Sequence, residues 1–168
     1  MSRSGYNDDG DGDRWALIRW RGAVRSSIKG ARGQAFLREL AAAMDAMPDK
    51  RLIANAAVKD GCLCTLGVVA AARGMDLEQL DIDMDGWEWD RIARGLGISE
   101  ALAREIMYFN DESVGGYEWR EIVGPPTETD IYYQRHPRVW APMRGAEQRR
   151  WIYMRNWVRE NIKEIRHA

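Results

Sequence analysis

Apolar residues recur every three or four positions in successive segments of this chain, and glycine or proline cuts each segment short. Several helices packed against one another satisfy that pattern most directly. The clearest stretch runs from about Gln34 to Met47, where Phe36, Leu37, Leu40, Ala41, Met44 and Met47 share one face until Pro48 stops the helix. From Arg14 to Ile28 a similar stripe joins Leu17, Trp20, Val24 and Ile28, and Gly30 and Gly33 interrupt it. Between Arg51–Val58 and Cys62–Leu66 lies Lys59-Asp60-Gly61, and Asp-Gly between two apolar runs predicts a β-hairpin. An alanine-rich helix follows from Val68 to Arg73, closed by Gly74. Two short amphipathic helices then flank a Gly97-Ile98 turn with Ser99 as N-cap, between Trp87 and Ile106. The last helix, from about Ala146 to Ile165, puts Trp151, Met154, Trp157, Val158, Ile162 and Ile165 on one side.

These segments predict an α+β fold, mainly α-helical, with five or six helices and a small β-hairpin. At 168 residues the chain suits a single domain able to bury a core without metal or disulfide support. Residues 1–13 are polar and acidic and read as a mobile head, with Asp13 placed to cap the first helix. Residues 14–168 form the globular domain, with an irregular, aromatic-rich insertion at about 112–145. Cys62 and Cys64, two apart, are too poorly placed to bridge each other and read as buried, reduced thiols.

Charge narrows the function classes. A net charge of −1 disfavours both a strongly basic nucleic-acid binder and an acidic mimic of DNA. No apolar run reaches the length of about 18 residues that a membrane helix needs, and the head lacks a signal-peptide core, so a cytoplasmic location is expected and no membrane partner. The 87–106 pair resembles a DNA-reading helix-turn-helix in outline. Its second helix, however, opens with Glu100 and Glu105 around Arg104, and Asp76, Glu78, Asp81, Asp83, Asp85, Glu88 and Asp90 precede it. Carboxylates there repel phosphates, so packing into the core is the better expectation.

The better cationic surface is the first helix, where Arg21, Arg25, Lys29 and Arg32 make a stripe at helical spacing with no acid among them. Such a stripe suits phosphates or an acidic partner protein, and the plainer alternatives are a solvated face or internal pairing with the acidic 76–90 segment. A second, diluted stripe lies in Arg155, Arg159, Lys163 and Arg166. The other candidate interface is the insertion, where Tyr117, Trp119, Tyr132, Tyr133 and Trp140 interleave with Arg120, Arg135 and Arg138. Tyr, Trp and Arg are the residues that dominate binding hot spots, and a loop folded back on the core is the alternative.

Catalytic and metal signatures are thin. Asp9 does not open an EF-hand loop, because Arg14 and Trp20 stand where glycine and the bidentate glutamate belong. Cys62 and Cys64 with distant His136 and His167 make no zinc pattern. No phosphate loop, dinucleotide fingerprint or nucleophile elbow occurs. An enzymatic reading rests on Asp111, Glu112 or His136, against which Asn110-Asp111 at a helix end is ordinary capping and turn chemistry. The expectation is a protein without catalytic residues, metal or cofactor.

Ser4-Gly5-Tyr6-Asn7-Asp8-Asp9 and Trp15-Ala16-Leu17-Ile18-Arg19-Trp20-Arg21-Gly22-Ala23-Val24 resemble the start of small proteins of tailed phages and prophages of proteobacteria, a group with no assigned activity. The resemblance continues through Arg32 to Leu40, Lys50 to Ile53, Cys64-Thr65-Leu66-Gly67, Gly97-Ile98, Asn110-Asp111-Glu112 and Arg150 to Val158, leaving out 113–143. It implies a phage context, in which small proteins without catalytic motifs commonly bind a host protein and include inhibitors of restriction or CRISPR defence. The partner expected on that basis is a host protein or defence complex, and nucleic acid is the alternative, bound by the first helix or the 87–106 segment.

Overall fold

The break between the first two helices is set by glycine. In the computed structural model, which describes residues 14–80, 89–121 and 138–164, α1 (Arg14–Lys29) and α2 (Ala31–Ala46) meet at Gly30, whose extended backbone ends one helix and starts the next. The helices come so close that a Cβ on Gly33 would stand 1.9 Å from the Ser27 carbonyl oxygen. Only glycine fits at that point.

α2 is the central element. It buries Phe36, Leu37, Leu40, Ala41 and Met44 along the stripe that its spacing predicts. With Leu66 and Val69 of α3 (Thr65–Ala72), which packs directly on α2, these residues share one core with Trp89, Ile92 and Leu96 of α4 (Trp89–Leu96), Leu102, Ile106 and Met107 of α5 (Glu100–Glu112), and Met154, Trp157 and Val158 of α6 (Ala146–Asn161). Each fully buried Leu, Ile or Met contributes about 1.5–3 kcal/mol relative to exposure.

The connections follow local chemistry. β1 (Val58–Lys59) and β2 (Cys62–Leu63) form the expected hairpin, and Asp60 and Gly61 both take positive φ (51° and 75°), as a tight primed turn requires. The Cys64 thiol accepts from the Gly67 amide at 3.4 Å and caps α3. A 3-10 turn covers Leu77–Leu80. Gly97 (φ 69°) closes α4, and the Ser99 hydroxyl accepts from the Leu102 amide to start α5. β3 (Tyr117–Glu121) and β4 (Arg138–Pro142) make a second antiparallel pair with Trp119 opposite Trp140.

The architecture is mainly helical α+β, with six α-helices and two small antiparallel pairs among the described residues. The described residues fall into two compact units: those of Met1–Val114 and Glu147–Ala168 form one, and those of Gly115–Ala146 the other. Among the described residues, no helix is long and apolar enough to cross a membrane.

Several local expectations are corrected. Leu17 is exposed, because α1 buries Val24 and half-buries Trp20, Ser27 and Ile28 while its residues 15–19 stay outside the core. Cys62 is only half-buried, on the small hairpin, and neither cysteine is in a disulfide. The Arg51–Val58 run is not a full strand: Leu52 makes a single bridge to Leu63 before Asn55, in the left-handed region (φ 61°), turns the chain. α3 starts three residues before Val68, and α6 ends at Asn161. Asp13 and Ile165 lie outside the described residues.

Candidate functional site

The acidic candidates near the end of α5 belong to a buried polar knot. Asn110 is fully buried, and its Oδ1 accepts from the Thr65 amide (3.0 Å) and the Thr65 hydroxyl (2.7 Å). Its Nδ2 donates to the Ile53 carbonyl (2.9 Å) and to Asp111 Oδ1 (2.7 Å). Asp111 Oδ1 also accepts from the Asn55 amide (3.1 Å), which holds that residue in its left-handed turn. The buried Arg150 guanidinium donates to three carbonyls, those of Asn110 (2.7 Å), Leu52 (3.0 Å) and Val114 (3.1 Å). Burial pulls its pKa below the ordinary arginine value, with Asp111 and Glu147 opposing, but a guanidinium stays charged at neutral pH.

The knot ties the Leu52–Asn55 turn, the start of α3, the end of α5 and α6 together. Its amide and carboxylate are engaged with backbone groups, which makes it a scaffold. Glu112 is exposed at the last position of α5, and His136 lies outside the described residues. Among the described residues, no group of three or more His, Cys, Asp or Glu side chains is arranged to hold a metal ion.

The helix-turn-helix outline resolves into a core hairpin. α5 buries Ala101, Leu102, Ala103, Ile106, Met107, Asn110 and Asp111, and the charged side chains left outside the core are Glu100, Arg104, Glu105 and Glu112, three of them acidic. Its Arg104 pairs with Glu100 (3.1 Å) and lies over the Trp20 ring of α1, 4.8 Å from the centroid. Ser99 of the turn hydrogen-bonds to Ser27 of α1 at 2.7 Å. The helix that would read bases is thus covered on one side by α1.

α1 itself offers the accessible chemistry. Arg21, Arg25 and Lys29 are exposed along it, and its sixteen residues include no acid. Arg32 is exposed too, but it stands in the first turn of α2, across the Gly30 break, so the continuous four-residue stripe expected on one helix is corrected to three. Among the described residues, none of these four cations has an ion-pair partner. Other arginines do: Arg73 with Glu39, Arg94 with Asp90, Arg104 with Glu100 and Arg155 with Asp45. The pairing of Arg155, and the Lys163 ammonium donating to the Lys29 carbonyl (2.6 Å), break up the second stripe, and Arg166 lies outside the described residues.

Sequence reasoning missed the apolar half of this surface. Trp15 is 71% exposed and Ile18 and Leu17 are each 48% exposed, all in the first turns of α1. The signal was present, since Trp15, Ile18, Gly22, Arg25 and Lys29 are spaced three and four apart, but the stripe through Val24 reads more strongly because it is the buried one.

In the smaller unit, Tyr117 and Trp140 come together on one face of the β3–β4 pair. Their rings stack 6.0 Å apart and 12° from parallel, and they are 52% and 54% exposed. The Met143 amide donates to the Gly116 carbonyl (2.9 Å) beyond the paired residues. Trp119 sits in register with Trp140, while Tyr132, Tyr133 and Arg135 lie outside the described residues. No protein-family model, no curated protein and no solved structure matches this chain.

Proposed function

We propose that this chain is a non-enzymatic accessory protein that binds an acidic surface of another protein through the cations of α1. The exposed Tyr117–Trp140 pair is a further contact of the same binding function. The observation that carries this reading is the contrast between Arg21, Arg25 and Lys29, exposed on a helix with no acid and without an ion-pair partner among the described residues, and the many arginines paired within the fold. Surface cations left unneutralised create a potential that steers and orients an acidic partner. The resemblance to phage and prophage proteins supplies the setting: a host protein or defence complex in the bacterial cytoplasm, with inhibition of a restriction or CRISPR system as the outcome of binding. The engagement of Asp111 in the buried knot supports the non-enzymatic part of the reading.

The test is capture of partners from nuclease-treated host lysate by the tagged protein, with an R21E/R25E/K29E variant alongside. The wild type is expected to retain one stoichiometric partner, and the variant to lose it while melting at the same temperature. Equal capture by both overturns the assignment to α1. Nucleic-acid binding through α1 is the second reading, favoured by the same cations, and it requires an affinity that falls steeply with salt. The net charge of −1 and the exposed Trp15 and Ile18 weigh towards protein.

A further inference from the structure

The outward side of α1 carries more than charge. Trp15, Ile18, Gly22, Arg25 and Lys29 follow one another at intervals of three, four, three and four, the spacing of a helix–helix seam. They lie opposite Trp20, Val24 and Ser27, through which α1 meets the rest of its own unit. The seam has an apolar end at Trp15 and Ile18, both largely exposed, and a cationic end at Arg25 and Lys29.

Its midpoint is glycine. A Cβ on Gly22 would meet nothing within 4 Å among the described residues, so nothing among them calls for glycine there, although glycine inside a helix costs about 0.5–1 kcal/mol relative to alanine. A missing side chain on an open helix face lets another backbone approach closely, and the separation of two crossing helices, about 8–10 Å, depends on the side chains at the crossing point.

From this arrangement, which rests on the α1 reading above, we infer that the face receives an acidic amphipathic helix of the partner, crossing α1 at Gly22. Its apolar residues would cover Ile18 and Trp15, and its carboxylates would meet Arg25 and Lys29. Both ends of the seam narrow the occupant. A second copy of α1 would set cations against cations when parallel; when antiparallel it could lay a cation on Trp15, but it brings no carboxylate to Arg25 and Lys29, since α1 contains no acid. A phosphate backbone makes no use of the apolar end or of the glycine, and neither does a lipid surface make use of the notch.

Selection from a naive library of displayed random peptides, each about 20 residues and therefore about 30 Å long as a helix, tests the inference on the full-length protein. The expected binders carry apolar residues at three-and-four spacing together with Asp and Glu, and gain helical circular dichroism when bound. Gly22→Leu and R25E/K29E should each weaken them by at least about tenfold, equivalent to about 1.4 kcal/mol, with the melting temperature of the protein no lower than that of the wild type. Binders without that pattern, affinity indifferent to Gly22→Leu, or no enrichment at all overturn it. So does concentration-dependent dimerisation that Gly22→Leu abolishes. A DNA duplex, or vesicles of phosphatidylglycerol and phosphatidylcholine, bound by the wild type and lost with R25E/K29E, would leave α1 as the binding site and remove the helix as its ligand. Survival of partner capture in R21E/R25E/K29E removes the parent reading instead.

Discussion

Gly22 and Gly33 are the same residue type under opposite constraints. At Gly33 an added methyl group collides with the Ser27 carbonyl, and at Gly22 it meets none of the described residues. Gly33→Ala is therefore expected to destabilise by more than about 2 kcal/mol, as overpacking against rigid backbone does, whereas Gly22→Ala should stabilise by about 0.5–1 kcal/mol. Urea titrations of both variants check the pair, and a destabilised Gly22→Ala would show that the position has an internal role. Asn110 is the other residue on which much depends. Asn110→Ala strands the Thr65 amide and the Ile53 carbonyl in the interior at about 1–3 kcal/mol each. Asn110→Asp keeps the acceptor but cannot donate as an ionised group to the Ile53 carbonyl, so it should not restore stability. A loss under about 1 kcal/mol for the alanine variant would contradict the knot.

Between elements, two forked ion pairs fasten α2 to its neighbours. Arg73 holds Glu39 (2.7 and 2.6 Å), and Arg155 holds Asp45 (2.7 and 2.6 Å). Hydrogen bonding by Arg73 keeps the Glu39 carboxyl below its ordinary pKa, and Arg155 does the same for Asp45. The folded state therefore releases these protons more readily than the unfolded one. The stabilisation is complete above the unfolded carboxyl values, near pH 4, and is lost as pH falls through the lower folded values. Both pairs are partly exposed, so each is worth at most about 1 kcal/mol. Thermal melts from neutral to acidic pH should show a shallower acid loss for an E39Q/D45N variant. An unchanged profile would mean that other carboxylates govern acid unfolding.

The elements also show where sequence was readable. The α2 stripe, the Asp60-Gly61 hairpin and the Ser99 cap rest on short-range rules, and each appears where those rules put it. The polar knot did not show itself, since its partners come from positions as far apart as Leu52 and Arg150 and no local pattern marks them. Arg32 reads as part of the first helix because helical spacing continues through Gly30 in sequence while the backbone does not. The stacking of Tyr117 on Trp140 depends on a strand register that intervening residues hide.

At the scale of the whole molecule, the two units differ in how their order is supported. The larger one has a continuous apolar core. The described part of the smaller one is a two-stranded pair with an exposed aromatic stack, and such pairs are marginally stable by themselves. Amide exchange in Tyr117–Glu121 and Arg138–Pro142 is expected to run at least about a hundredfold faster than in α2 and α5, a difference of about 2.7 kcal/mol in opening free energy. Equal protection would show that the smaller unit opens only with the larger. Binding through α1 also carries a kinetic expectation: the association rate with the partner should fall as salt rises, while the dissociation rate changes little. A salt-independent association rate would argue against steering by Arg21, Arg25 and Lys29.

Arg150 gives the molecule an order of assembly. During synthesis the Leu52, Asn110 and Val114 carbonyls leave the ribosome before the guanidinium that satisfies all three. Until α6 emerges, α2 to α5 can collapse around their apolar faces, but the ends of the Leu52–Asn55 turn and of α5 stay wet and loose. The cell therefore meets an unfinished form of this protein on every ribosome that translates it. How long that form lasts depends on when α6 clears the ribosome and Arg150 reaches the three waiting carbonyls.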